Sequence, residues 1–403
     1  MNAVASVAIA DGRAPGTRTT WRGPVRPVEL DPFIVLATLA LVGLGLVMVA
    51  SASMTVAARL FDEPWYYVQR QATFIGLGLV LAWGVAQVPL ARWRQAAVPV
   101  LLLALLLLAL VLMPGFGRTV KGSTRWLELG IIGLQVAEVA KFAFVVYVAD
   151  YLVRQRAEVV ARWRGFLRPV ALVAIAGLLL LLQPDFGAAV ILAAVVLALL
   201  FLGGVPLGRF CLLTGAAVAT LVLLAVTTPY RMQRITGFLD PWADPFDSGF
   251  QLTQSLMAIG SGGWNGVGLG ASVQKLFYLP EAHTDFLFAI FAEETGLIGV
   301  ALVLGLYGLL VGRSFQLAGR ADAVGAPFAA FLASGVALWL AFQALVNIGV
   351  NMGLMPTKGL TLPLMSYGGS STLMTCAAIG LLLRVAYEIR ATSRQASRRG
   401  RAP

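Results

Sequence analysis

The sequence predicts an all-α, polytopic membrane protein with about ten transmembrane helices, and three observations carry that prediction. The chain is 59% hydrophobic and only 12% charged, whereas soluble domains carry about 25% charged residues. Apolar runs of about 20 residues recur along its length, enough to cross the core of a bilayer. Arginines gather in alternate connections between these runs, as topology signals do. Mean hydropathy is +0.84. The net charge of +11 follows from those connections, so it points to membrane lipid and away from nucleic acid. Cys211 and Cys376 both lie in apolar runs, which argues against a disulfide framework.

Residues 1–30 read as a flexible cytoplasmic tail carrying Arg13, Arg18, Arg22 and Arg26, without the apolar core of a cleavable signal. A membrane domain follows over 31–388. Its expected spans are 32–54, 68–87, 95–113, 134–153, 166–182, 185–203, 207–227, 284–312, 325–350 and 361–384. Residues 389–403 form a basic cytoplasmic tail. One set of connections holds Arg92, Arg94, Arg154, Arg156, Arg162, Arg164, Arg168, Arg209, Arg313 and Arg320. The positive-inside rule makes that side cytoplasmic and puts both termini there.

The opposite connections then face outward. They hold Lys121, Arg125, Asp185, Arg231, Arg234, Lys275, Asp285 and Lys358, so polar chemistry is expected on that one face. The large extracytoplasmic loop between the seventh and eighth spans, 228–283, is too long for a simple connection. Within it, Gln251 to Ile259 predicts an amphipathic helix at the interface. The glycine-rich stretch 260–270 lacks a Gly-Lys-Ser/Thr ending and reads as close packing or a hinge, not a phosphate loop.

Asp285 stands at the mouth of a span, beside His283, the only histidine. Ionisable groups at such a position are costly and mark function. It reads equally as a general base in an outward cavity or as a helix N-cap. Lys358 precedes a span on the outer side, where it reads as a contact to an anionic headgroup or as a snorkelling lysine. Lys121, Arg125, Arg231 and Arg234 suggest an anionic ligand such as a pyrophosphate only as a cluster; singly, each suits a lipid headgroup. Glu138 and Lys141, one turn apart, suit a buried ion pair that could also line a cavity. Asp185 reads first as an N-cap. Ser366, in Ser366-Tyr367-Gly368-Gly369-Ser370-Ser371, falls where a glycine-interrupted helix lines a polar cavity. His283 has no Cys or second His beside it, which argues against a transition-metal site. A divalent ion (Mg or Mn) held by carboxylates and substrate phosphates stays open, and no other cofactor is expected.

Several stretches carry a family resemblance. They are Lys121-Gly122-Ser123-Thr124-Arg125-Trp126, Gln135 to Lys141, Gln183-Pro184-Asp185-Phe186-Gly187, Pro229-Tyr230-Arg231, Gln274-Lys275, Leu279 to Asp285, and Pro356 to Ser371 with Leu381 to Arg384. Through them the chain resembles the SEDS (shape, elongation, division and sporulation) glycosyltransferases, the RodA/FtsW family, over roughly residues 30–390. Lys358 to Pro363 and Ser370-Ser371 look more like its FtsW branch.

The resemblance implies a peptidoglycan polymerase joining lipid II into β-1,4 glycan strands outside the cytoplasmic membrane, at the division septum. It implies Asp285 as the base that deprotonates the acceptor hydroxyl. Lys358, Arg231, Arg234, Lys121, Arg125 and Lys275 would then surround the substrate, and Glu281 would assist or hold Asp285. Its implied partners are lipid II, a class B penicillin-binding protein (an FtsI-like transpeptidase) and divisome activators resembling FtsQ, FtsL and FtsB. Two rival readings remain: a lipid II flippase, and a non-catalytic scaffold that recruits the transpeptidase. The inner halves of the spans are mostly Leu, Val and Ala, Glu138 and Lys141 apart, which disfavours a translocation path.

Overall fold

The computed structural model describes residues 30–399, apart from 121, 130, 131, 228 and 358. The N-terminal tail to residue 29, Lys121 and Lys358 therefore lie outside the described residues. So does the side chain of Arg231, although its backbone is helical.

Ten helices stand where apolar runs were expected: α1 Pro32–Phe61, α2 Tyr66–Gln87, α3 Leu90–Val111, α4 Val136–Ala161, α5 Trp163–Leu182, α6 Phe186–Leu202, α7 Leu207–Val226, α10 Leu287–Ala323, α11 Pro327–Asn351 and α12 Gly369–Arg399. Among the described residues, six helices are long and apolar enough to cross a membrane. The amphipathic stretch of the long loop forms α9, Phe250–Gly262, and a further helix precedes it, α8, Pro229–Leu239. The last expected span starts late, because residues 361–368 stay irregular, and α12 then continues through 389–399 without a break.

The all-α expectation needs one correction. Residues 117–135 form a three-stranded antiparallel sheet: β1 Gly117–Val120, β2 Ser123–Leu129 and β3 Ile132–Gln135. Its first turn is two residues long and has Gly122 at φ +78°, the left-handed geometry that short hairpins favour. Ser370 Oγ accepts from Gln135 N and donates to Gly133 O, tying β3 to the start of α12.

The interior is built around α11, which packs against α4, α6, α10 and α12 and buries most of its length. α12 lies along α2, and α1 along α10. α7 buries no side chain among the described residues. Two ends of the bundle are distinguishable. At one, Asp31 caps α1 and binds Arg313 of α10 and Arg390 of α12. Residue 285 stands two positions before the start of α10, so it lies at the other end.

α10 breaks at Gly296, whose φ is +64° and ψ −165°. The break frees backbone groups that a continuous helix would satisfy. Segment 263–268 replaces the lost partners: Val267 N and Gly268 N donate to the carbonyls of Glu293 and Glu294, and Leu297 N and Ile298 N donate to those of Gly263 and Trp264. The fit leaves no room for a side chain, since a Cβ on Gly296 would stand 2.3 Å from Gly266 N. Of the two readings of the glycine-rich stretch, close packing describes this contact.

Candidate active site

Asp285 is presented by a compact turn. Glu281 takes a left-handed backbone at φ +56°, uncommon outside glycine, and its carbonyl accepts from Thr284 N and Phe286 N. The Thr284 hydroxyl donates to the Glu281 carboxylate at 2.7 Å. His283 packs its ring 4.5 Å from that of Tyr67, and its carbonyl accepts from Tyr367 N. Glu281 thus shapes the turn that carries Asp285.

The turn meets the irregular segment before α12. A Cβ placed on Gly359 would lie 3.2 Å from Asp285 Oδ2, so the carboxylate rests against that backbone. Arg234 of α8 reaches the same segment and donates to Thr357 O at 3.1 Å. Leu360, next in line, packs against Gly187 at the start of α6, just past Asp185. Asp285 meets Gly359, and Arg234 meets Thr357, the two neighbours of Lys358 in the chain.

The remaining expected residues take supporting places. Arg125 is half-buried and donates to Pro184 O at 2.6 Å and to Gln183 O, holding the turn before α6. Asp185 caps α6 by accepting from Ala188 N, and its other oxygen accepts from Gln135. Ser366 Oγ accepts from Leu362 N inside the same irregular segment. Lys141 bonds Glu138 at 2.7 Å, and both are buried. Lys141 also donates to Gln343 at 2.6 Å.

Lys275 is turned inward, not toward the Asp285 turn. It is 6% exposed, pairs with Glu294 at 2.8 Å and donates to Ser51 of α1. Beside it opens a cavity of about 420 Å³, lined by Ser51, Met54 and Thr55 of α1 and by loop residues including Ser272 and Leu276; Asp285 does not line it.

Three residues that sequence reasoning passed over hold the site together. Asn347 Nδ2 donates to Asp285 O at 2.9 Å and also to Leu360 O. Asn351 Nδ2 donates to Asp285 O at 3.0 Å, while its Oδ1 accepts from Ala289 N in the first turn of α10. Gln343 donates to Thr361 O at 3.1 Å. The signal was available: three amides spaced by four lie on one face of a helix.

Burial raises the Tyr367 hydroxyl pKa above its ordinary value, with nearby Arg70 opposing the shift, so this neighbour of His283 stays a neutral hydrogen-bonding group. Among the described residues, no group of three or more His, Cys, Asp or Glu side chains converges as a protein-held metal requires.

The chain is similar to known proteins over most of its length. Residues 32–391 match the cell cycle protein family FtsW/RodA/SpoVE. The chain is 60% identical to a probable peptidoglycan glycosyltransferase FtsW from Thioalkalivibrio sulfidiphilus, covering 89% of both chains. It is 55% identical to the protein of that name from Coxiella burnetii, over 89% of this chain and 96% of the other. Among solved structures, it matches a chain of a peptidoglycan synthase complex that coordinates polymerization and crosslinking. That match has a TM-score of 0.74 and 36% identity, over 90% of this chain and 99% of that one. It also matches the rod shape determining protein RodA of Thermus thermophilus, with a TM-score of 0.66 and 34% identity, over 89% and 97%.

Proposed function

This chain belongs to the FtsW/RodA/SpoVE family, and from that premise we infer that it is a peptidoglycan glycosyltransferase, a multi-pass protein of the cytoplasmic membrane. The 60% identity across 89% of both chains to a relative so named carries the activity. The convergence of Asp285 with Arg234 and the segment around residue 358 supports the site.

The substrate of the reading is lipid II, and the product is a β-1,4 glycan strand. Asp285 removes the proton from the acceptor sugar's 4-hydroxyl as that oxygen attacks the donor's anomeric carbon. The carbon–oxygen bond to the diphosphate breaks, and undecaprenyl pyrophosphate leaves. A positioned base of this kind contributes about 10²–10⁴ in rate. Lys358, Arg231 and Arg234 stabilise charge developing on the leaving diphosphate, with Lys121 as a further cation of that face. A diphosphate leaves readily, so a second carboxylate acting as acid is not required.

The reading places this end of the bundle outside the cytoplasm. What supports it is the arginine-rich opposite end, where Arg313 and Arg390 bind Asp31 and Arg94 and Arg154 bind Asp150. In it both termini are cytoplasmic, about ten helices span the bilayer, and synthesis is septal. The likeness to a synthase complex that coordinates polymerization with crosslinking supports a crosslinking partner, here a class B penicillin-binding protein. Divisome activators resembling FtsQ, FtsL and FtsB would act on the same assembly.

The test uses the purified chain with its transpeptidase partner and labelled lipid II. Asp285→Asn should lower polymer formation by roughly 10²-fold or more with folded yield and partner binding intact. Undiminished polymer would remove Asp285 as the base. Lipid II crossing liposome membranes without polymer would favour the transport reading.

A further inference from the structure

Two non-helical segments meet beside Asp285 at the end of a membrane bundle, partly buried and partly exposed. Where their backbone is buried it needs polar partners from the protein. α11 supplies them from one face. Trp339, Gln343, Asn347 and Asn351 follow at four-residue intervals. Trp339 Nε1 donates to Gln343 Oε1, which also accepts from Lys141. Gln343 donates to Thr361 O, Asn347 to Leu360 O and Asp285 O, and Asn351 to Asp285 O. All three amides are buried, at 0%, 2% and 0% exposure.

Backbone satisfaction alone would need each amide to serve one segment. Asn347 serves both, with two donors from one nitrogen on carbonyls from different parts of the chain. That side chain ties the Asp285 turn directly to Leu360, beside the bond from Tyr367 N to His283 O. Asn351 extends the tie outward, since its own carbonyl accepts from Ser255 of α9 at 2.8 Å.

We propose that Gln343, Asn347 and Asn351 are positioning residues: an amide ladder on α11 that sets the separation between the Asp285 carboxylate and the segment carrying Lys358. The role rests on Asp285 being the base. The ladder touches no reacting atom and acts through the backbone of Asp285, Leu360 and Thr361. A displacement of about 1 Å at a reacting group can lower a rate by about 10²-fold.

The experiment has an activity arm and a distance arm. In the first, Asn347→Ala and the near-isosteric Asn347→Asp, which loses both donors, are assayed for lipid II polymerisation in the full chain with its partner. The expected result is a kcat roughly 10²-fold lower with KM little changed, and a smaller loss for Asn351→Ala, which removes one of two bonds to Asp285 O. In the second, Gly359→Cys and Asp285→Cys are combined with Cys211→Ser, and disulfide formation is timed under mild oxidant. A Cβ at residue 359 would lie 4.0 Å from Asp285 Cγ, the position nearest the sulfur of Asp285→Cys, close enough for a disulfide after a small shift. Adding Asn347→Ala should slow crosslinking roughly tenfold. Unchanged crosslinking, or a raised KM with kcat preserved, would overturn the ladder. The distance arm needs no catalysis, so polymer formation by Asp285→Asn would sink the base while leaving the ladder to be judged separately.

Discussion

The two ends of the bundle hold their aspartates by different means. Asp31 has 0% exposure and is surrounded by charge: Arg313 donates to both its oxygens, Arg390 donates at 2.7 Å, and Phe33 N completes the cap. It joins α1, α10 and α12 through its carboxylate. Asp285 is half-buried and is fixed through its backbone carbonyl, by the neutral amides of Asn347 and Asn351. Where the carboxylate is the fastener, it is committed to structure. At Asp285 neutral amides fasten the main chain that carries the carboxylate.

The contrast breaks most visibly at the buried ion pairs. Asp31→Ala leaves Arg313, 10% exposed, without its main acceptor. It should cost about 3–5 kcal/mol of stability in detergent, read by denaturant or thermal unfolding, while polymer formed per folded molecule stays unchanged. Asp285→Asn should show the reverse pattern. Lys275 sharpens the comparison, because it lies in the long loop 228–283 yet is paired like Asp31. Lys275→Met leaves Glu294, 1% exposed, uncompensated and should cost about as much, about 3–5 kcal/mol. Adding Glu294→Gln should recover most of that loss. No recovery would mean that Lys275 does something other than neutralise Glu294.

A smaller effect tests the break in α10. Gly296→Ala puts a side chain at φ +64° and within 2.5 Å of Trp264 O. It should destabilise by about 1–3 kcal/mol, with segment 263–268 the first region to lose hydrogen-exchange protection.

The helical fold was legible because each long apolar run can satisfy its backbone only by coiling on itself. The sheet was not, because strands of 4, 7 and 4 residues around Gly122 carry too short an alternation to stand out from a loop. Asp285 stood out in the sequence because a carboxylate at a helix mouth is costly. Asn347 and Asn351 were passed over although their spacing by four was visible, because uncharged amides in an apolar run carry no charge cost to mark them and their partners at 285 and 360 are distant in sequence. Lys275 misled for the opposite reason. Its charge was visible, but nothing local announced that Glu294 would fold back onto it and bury it.

The smallest expected effect is a pH dependence confined to Asp31. Burial, the strongest single influence, pushes its carboxyl pKa up. The hydrogen bond and charge of Arg313, the N–H of Ile34 and the charge of Arg390 together outweigh it, so the pKa falls below its ordinary value. A carboxyl held low in the fold contributes stability that is fully present above its unfolded pKa, about 3.9, and is lost as pH falls through the lowered folded value. The unfolding midpoint should therefore fall with acidification below about pH 4. In Asp31→Asn, which keeps the shape but cannot titrate, that part of the decline should be missing. Parallel acid profiles for the two proteins would mean that the pairing with Arg313 and Arg390 adds nothing the asparagine lacks. The fastening of this end would then be geometric, as it is at Asp285.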